Sequence, residues 1–224
     1  MKIFITRELA PDSAFRQRLV RAGGQVYGQS LIEFSGVDWG KMPPTDWIFF
    51  YSRKAVTFFW EGLRKKGEVI GESIQLATLG QGTAAKLTDL GYQANFVGTG
   101  NPGEVAEQFL SVAEKRRVLF PRAENSQKSM QKALHGKVVE LDLVVYKNEM
   151  RKEFSIPKVN YLVFTSPMNA KAYFQRYAWT GEHLVAIGET TAAALRKLVD
   201  AKVYIADQSS EESLAETVIQ LKDN

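Results

Sequence analysis

The chain has no cysteine and only two histidines among its 224 residues. Without a thiol there is no disulfide framework, no thiolate metal site and no cysteine nucleophile. His135 and His183 stand far apart, and His135 precedes Gly136, where a helix-end role competes with any chemical one. A Gly-x-Ser-x-Gly elbow is missing, which removes the usual serine-hydrolase nucleophile. Phosphate loops of the Gly-x-x-x-x-Gly-Lys-Ser/Thr type and Gly-x-Gly-x-x-Gly dinucleotide fingerprints are absent too. No apolar run approaches the roughly 20 residues of a spanning helix. The stretch Ile3–Ile5 stops at Thr6-Arg7, far short of a signal-peptide core. These absences predict a soluble, cytoplasmic protein with no membrane association, no metal and no cofactor. With no helix-turn-helix, zinc-finger or RNA-motif signature, nucleic acid is not an expected partner.

What is present is a mildly basic, ordinarily apolar chain. The formal charge is +4, the sequence pI about 9.1 and the hydrophobic fraction 45%. That fraction suffices for two cores of about 100 residues each. The positive balance either draws an anionic ligand into a cleft or serves solubility alone. The basic runs Arg64-Lys65-Lys66 and Lys115-Arg116-Arg117 are expected at helix ends, where cations favour the dipole.

The strongest pattern is a repeat. Trp47-Ile48-Phe49-Phe50-Tyr51-Ser52 is echoed by Tyr161-Leu162-Val163-Phe164-Thr165-Ser166. Further on, Leu76-Ala77-Thr78-Leu79-Gly80-Gln81-Gly82-Thr83 is echoed by Leu184-Val185-Ala186-Ile187-Gly188-Glu189-Thr190-Thr191. The starts match as well, Ile3-Phe4-Ile5-Thr6-Arg7 with Val118-Leu119-Phe120-Pro121-Arg122. Short apolar strands alternate with amphipathic helices throughout. The spacing predicts helices over 12–22, 53–66, 83–90, 104–114, 128–134, 169–177 and 191–199. In the fourth of these, Val105, Phe109 and Val112 should face inward. A Ser209-x-x-Glu212 capping box should open the last helix. Gly36–Pro44 reads as a linker, and 138–146 as one long extended run paired with the Leu31 region. Alternation of this kind calls for parallel sheets covered by helices on both faces, with ligands beyond the carboxyl ends of the strands. The expected fold is thus α/β, with two similar doubly wound parallel-sheet domains.

Every repeated polar corner lies at such an end. At Gly80-x-Gly82-Thr83 and Gly188-x-Thr190-Thr191, glycine permits a sharp turn and threonine can cap the helix. The remaining outward N–H groups would accept a carboxylate or phosphate. Ser52-Arg53 and Ser166-Pro167 form a second pair, with Pro167 suited to a first helical turn. Arg53 either forks onto a carboxylate or is simply solvated. Arg7 and Arg122 end the first strand of each copy and are either ligand-binding or structural ion pairs. Tyr146 closes the extended run 141–146, where a phenol could face a cleft. Catalysis here would rest on positioning, hydrogen bonding and electrostatics.

Taken in order, these motifs resemble the uroporphyrinogen-III synthase family over essentially the whole chain. The resemblance rests on Thr6-Arg7, Phe50-x-Ser52-Arg53-x-Ala55-Val56, Gly80-x-Gly82-Thr83-Ala84, Leu119-Phe120-Pro121-Arg122-Ala123, Val145-Tyr146, Phe164-Thr165-Ser166-Pro167 and Ala186-Ile187-Gly188-x-Thr190-Thr191-Ala192. It implies two α/β domains joined by a two-stranded linker, with the active site in the interdomain cleft. The first domain would comprise 1–34 and 148–224, the inserted second domain 44–138, and the linkers 35–43 and 139–147. The implied reaction cyclises hydroxymethylbilane, a linear tetrapyrrole with eight carboxylates, to uroporphyrinogen III. Water is lost and ring D is inverted, in haem biosynthesis. By position, the resemblance makes Tyr146 the residue assisting departure of the hydroxyl. Ser52, Arg53, Thr83, Ser166, Thr190 and Thr191 become substrate contacts, to which the corner glycines Gly82 and Gly188 and the paired Arg7 and Arg122 are added. A monomer is implied, and transient hand-over of the bilane from hydroxymethylbilane synthase is a possible partnership. Where the family has Thr-Ser at the first corner this chain has Tyr51-Ser52, and a tyrosine turned toward the substrate would crowd it. The competing expectation is a two-lobed binding module that closes on a small anion without chemistry.

Overall fold

A computed structural model describes residues 1–223. It divides into two compact units: Met1–Glu33 with the chain from Glu149 onward, and Phe34–Asn148. In the first unit the strands are β1 (Lys2–Ile5), β2 (Gln25–Gly28), β9 (Tyr161–Phe164), β10 (His183–Ala186) and β11 (Val203–Ile205). They form one sheet in the order β11-β10-β9-β1-β2, every neighbouring pair parallel. Helices α1 (Ala14–Arg21) and α8 (Glu211–Asp223) pack together over Ile3, Ile5 and Val163. On the other face lie α6 (Pro167–Phe174) and α7 (Glu189–Arg196), with Tyr173 edge-on to Phe164.

The second unit orders its sheet β3-β8-β7-β4-β5-β6. These are β3 (Ile32–Gly36), β4 (Trp47–Phe50), β5 (Gln75–Thr78), β6 (Phe96–Val97), β7 (Arg117–Ala123) and β8 (Val139–Met150). From β8 to β6 all neighbours are parallel. Strand β4 shows why a continuous apolar run is needed. Trp47 and Phe49 point into the core under α4 (Pro102–Ala113) and α5 (Ser129–Leu134). Ile48 and Phe50 point into the opposite core under α2 (Arg53–Lys66) and α3 (Gln81–Thr88). A strand covered on both faces has no solvent side to alternate toward.

The two sheets share one plan. Strands β1 and β9 hold the centre of the first, β7 and β4 the centre of the second, and the chain winds outward from each central pair. These are the topological switch points of doubly wound sheets. The repeat boundaries are not the unit boundaries. Each unit takes two leading strands from one copy and three trailing strands from the other, and the second unit adds β3.

Several local expectations are revised. Val112 is about half exposed, and Ala106 and Ala113 share the buried face of α4 with Val105 and Phe109. The last helix is capped by Ser210, whose hydroxyl accepts from the Ser213 N–H, not by Ser209 with Glu212. Residues 115–117 lie beyond α4 rather than in its last turn; Arg117 opens β7 and pairs with Asp46 at 3.0 Å. The run after Val138 does not stop at Tyr146 but continues to Met150, kept extended by pairing with β3 and by the Val37 N–H bond to the Val145 carbonyl. Residues 37–45 are anchored as well. Trp39 is buried, stacks on Phe59 at 5.7 Å, and lies so close to Gly62 that a Cβ there would come within 2.5 Å of the indole nitrogen.

Candidate functional site

In the second unit, the carboxyl ends of β4 and β5 lead into two differently built corners. Ser52 is the N-cap of α2: its backbone is extended and its hydroxyl accepts the Ala55 N–H at 3.2 Å. Gly80 is the N-cap of α3 and supplies no side chain, so the first turn has no side-chain acceptor. Helix α3 therefore begins at Gln81, two residues earlier than expected. Thr83 is at its third position, buried at 7% exposure, and caps nothing. No hydrogen bond involves its hydroxyl among the described residues. The turn is also not made by a left-handed glycine: Gly80 is extended, with φ −168°. Arg53 is exposed and forms no ion pair among the described residues, and its Nε lies 4.0 Å from where a Cβ on Gly82 would stand. The guanidinium and the uncapped α3 start are thus one patch. The loop behind them passes close because Gly98 lacks a side chain, since a Cβ there would meet Val105 at 2.5 Å.

The first unit repeats the construction. Ser166 caps α6 by accepting the Asn169 N–H at 3.2 Å, with Pro167 in the first turn. Gly188, extended at φ 179°, begins α7 without a side-chain cap. Thr191 is again third in its helix, 3% exposed and not a cap, with no hydrogen bond to its hydroxyl among the described residues. Thr190 is exposed beside it. Ser209, missed as a corner residue by sequence reasoning, donates to the Ile187 carbonyl at 3.2 Å and would touch a Cβ on Gly188 at 3.4 Å. Glu189 is held by Arg196 at 2.7 Å, so this corner is less cationic than its counterpart. At the switch point, Thr6 and Thr165 clasp β1 to β9. The Thr165 N–H bonds the Thr6 hydroxyl at 3.0 Å, and the Thr165 hydroxyl bonds the Thr6 carbonyl at 2.9 Å.

Two residues near these corners, Arg122 and Tyr51, are held in one internal network. Arg122 is buried and bidentate on Asp142, with Nε and Nη2 each 2.5 Å from a carboxylate oxygen. Its Nη1 donates to the carbonyls of Ala123 and Glu124. Its guanidinium joins β7 to β8 as a structural ion pair. Asp142, which also accepts from Lys128 and Gln131, is held well below the usual carboxylate range by these partners against the upward push of burial. Tyr51 joins the same network. Its hydroxyl donates to Gln131 Oε1 at 3.0 Å and accepts the Gln131 N–H, so the ring turns toward α5. Burial pushes the Tyr51 phenol up, and it stays neutral. Arg7 is less committed, 3.7 Å from Glu211 and 43% exposed at its side chain.

Tyr146 sits on β8 with its ring buried. It stacks on Phe58 (5.2 Å, 18°) and tilts against Phe34 at 6.2 Å. Its hydroxyl has no hydrogen-bond partner among the described residues. Lys54, one helical turn before Phe58, places its ammonium 3.6 Å from the centroid of Phe34. Phe34, Lys54 and Phe58 were not singled out by the sequence. The i, i+4 spacing of Lys54 and Phe58 was the signal, and it means nothing until β3 and β8 are known to pair beneath that helix face.

Two doubly wound parallel units, each with a glycine-led helix start at a strand's carboxyl end, define a two-unit protein of the α/β class. A family model described as uroporphyrinogen-III synthase HemD matches residues 13–216, so the chain belongs to the uroporphyrinogen-III synthase family. The fold is shared with a uroporphyrinogen-III synthetase of Helicobacter pylori. That match has a TM-score of 0.72 and 22% identity, covering 98% of this chain and 99% of that one. A mutant uroporphyrinogen III synthase of the extremely thermophilic bacterium Thermus thermophilus matches with a TM-score of 0.54 and 15% identity, covering 100% and 98%. No curated protein sequence matches. The family's activity is that of a lyase acting on a tetrapyrrole, the closure of hydroxymethylbilane to uroporphyrinogen III in haem biosynthesis. Among the described residues, no helix is long and apolar enough to cross a membrane.

Proposed function

We propose that the corners of each unit hold the bilane's carboxylates while Tyr146 assists loss of its hydroxyl. The observation that carries this reading is the duplicated uncapped helix start. In both units a glycine begins the helix, the first-turn N–H groups have no side-chain acceptor, and the hydroxyl of an otherwise buried threonine beside them is unpartnered among the described residues and open to solvent. Unsatisfied donors at a dipole's positive end favour an anion. Arg53 with Gly82 and Thr83 forms one contact set, and Gly188 with Thr190 and Thr191 the other. Ser52 and Ser166 keep their hydroxyl protons for donation, since in their caps they act only as acceptors. Arg7 adds positive charge in the first unit.

For the chemistry, Tyr146 gives its proton to the hydroxymethyl oxygen as the pyrrole nitrogen lone pair expels it. The C–O bond breaks, water leaves, and an electrophilic azafulvenium cation remains, its N–H retained and its charge balanced by the Tyr146 phenolate. The far pyrrole attacks through its substituted carbon, forming a spiro ring that reopens and rejoins inverted. The proton lost on closure balances the one Tyr146 gave. The bilane closes unaided to the uninverted type I isomer, so the protein's work is to hold one folded conformation. A cytoplasmic monomer that takes the labile bilane from hydroxymethylbilane synthase, without nucleic acid or membrane, completes the reading; a cysteine-free chain suits that compartment. The test is product analysis with freshly made hydroxymethylbilane. Type III isomer is expected, with Tyr146→Phe at least about tenfold slower. Type I alone at the spontaneous rate would refute catalysis and favour a non-catalytic anion-binding module.

A further inference from the structure

Within the second unit, Lys54, Phe34, Tyr146 and Phe58 form a continuous row. The first and last come from one face of α2, and the middle two from the paired strands β3 and β8. Lys54 is on the solvent side of this row. An exposed lysine ordinarily extends into water or meets a carboxylate. This one lies 3.6 Å from an aromatic centroid, and no carboxylate among the described residues pairs with it. Burial lowers its pKa from the ordinary lysine value. Lys66, at the far end of α2, also lies over a ring, 5.2 Å from the Trp39 centroid, but it is paired with Asp38 at 3.0 Å. An unpaired cation on a ring that touches the candidate proton donor is a site for an anionic group of the reacting molecule.

We propose that Lys54 is a specificity-determining contact, binding a carboxylate of the pyrrole that carries the hydroxymethyl group. Phe34 is the apolar surface on which that ring rests. The contact rests on the reading of Tyr146 as proton donor, because it anchors in this row the pyrrole whose hydroxyl departs. It also selects which end of the bilane occupies this position, and so the sense in which the chain folds.

The experiment compares Lys54→Met, which keeps the alkyl stem, with Lys54→Arg, which keeps the charge. Both use the intact protein and hydroxymethylbilane. Lys54→Met should raise KM about tenfold, the effect of losing one charge-assisted contact. It should change kcat by less than about threefold and increase the share of type I product. Lys54→Arg should recover KM to within about threefold. The melting temperature of both should stay within about 2 °C of the parent, as expected for an exposed side chain. A Lys54→Met protein with parental KM and isomer ratio overturns the proposal, as does a KM defect that arginine fails to rescue. Tyr146→Phe is assayed alongside. Should it turn over at the parental rate, the proton-donor reading falls, while the KM shift still decides the role of Lys54.

Discussion

Asp142→Ala strips Arg122 of its bidentate partner and leaves a buried guanidinium with only two carbonyls to serve. Breaking a buried pair from one side costs about 3–5 kcal/mol. Asp142 is 35% exposed at its side chain, and water would partly rescue Arg122 by the same opening, so we expect about 2–3 kcal/mol. Urea denaturation followed by near-ultraviolet absorbance of the second unit's aromatics would measure it. The pH dependence has a definite sign. The carboxyl of Asp142 is depressed in the fold, so its contribution is fully present above the unfolded aspartate value of about 4 and fades as pH falls toward its folded value. The gap between parent and Asp142→Ala should therefore be widest near neutrality and shrink steadily below about pH 4. Replacing both residues, Arg122→Met with Asp142→Leu, should cost less than Asp142→Ala alone, because no charge is then stranded. An Asp142→Ala protein within about 0.5 kcal/mol of the parent at pH 7 would refute the reasoning. So would an Arg122→Met protein of parental stability with a roughly tenfold higher KM, since the guanidinium would then be serving substrate rather than the fold.

Thr83→Val and Thr191→Val keep volume but remove the unpartnered hydroxyls; each should lower kcat/KM about tenfold while changing stability by less than about 1 kcal/mol, because neither hydroxyl caps its helix. Arg53→Gln should raise KM several-fold and flatten its rise with ionic strength, measured from about 20 to about 300 mM salt, the range over which screening changes most. Gly62→Ala should destabilise the second unit by about 1–3 kcal/mol in urea titration, since the new methyl would meet the Trp39 indole at 2.5 Å. Phe49→Ala should cost about 3–5 kcal/mol by the same measurement, its ring being fully buried between Phe109 and Phe120.

Much of this was legible in residue order alone. Runs such as Trp47–Phe50 and Tyr161–Phe164 are apolar at every position, which suits only strands covered on both faces, and those runs are strands of parallel sheets. Ser52, Ser166 and Pro167 advertise helix starts by local chemistry, and each opens its helix. The threonines were misread because capping depends on where the first turn begins, and Gly80 and Gly188 move that point two residues upstream.

By itself, then, residue order determined the alternating strands and helices, the repeat and the family, because these depend on local periodicity and short motifs. Which half of each repeat shares a sheet with which was implied by the family resemblance but by no local pattern, and only tertiary structure decided the strand pairing. Pairing β1 with β9 and β4 with β7 depends on contacts between distant segments, which no local pattern records. Tertiary structure alone likewise assigned Arg122 to Asp142, turned Tyr51 toward Gln131, and set Lys54 and Phe34 beside Tyr146. A charged or aromatic residue reads the same in sequence whether it meets a partner or a ligand; what lies within a few ångströms of it determines which.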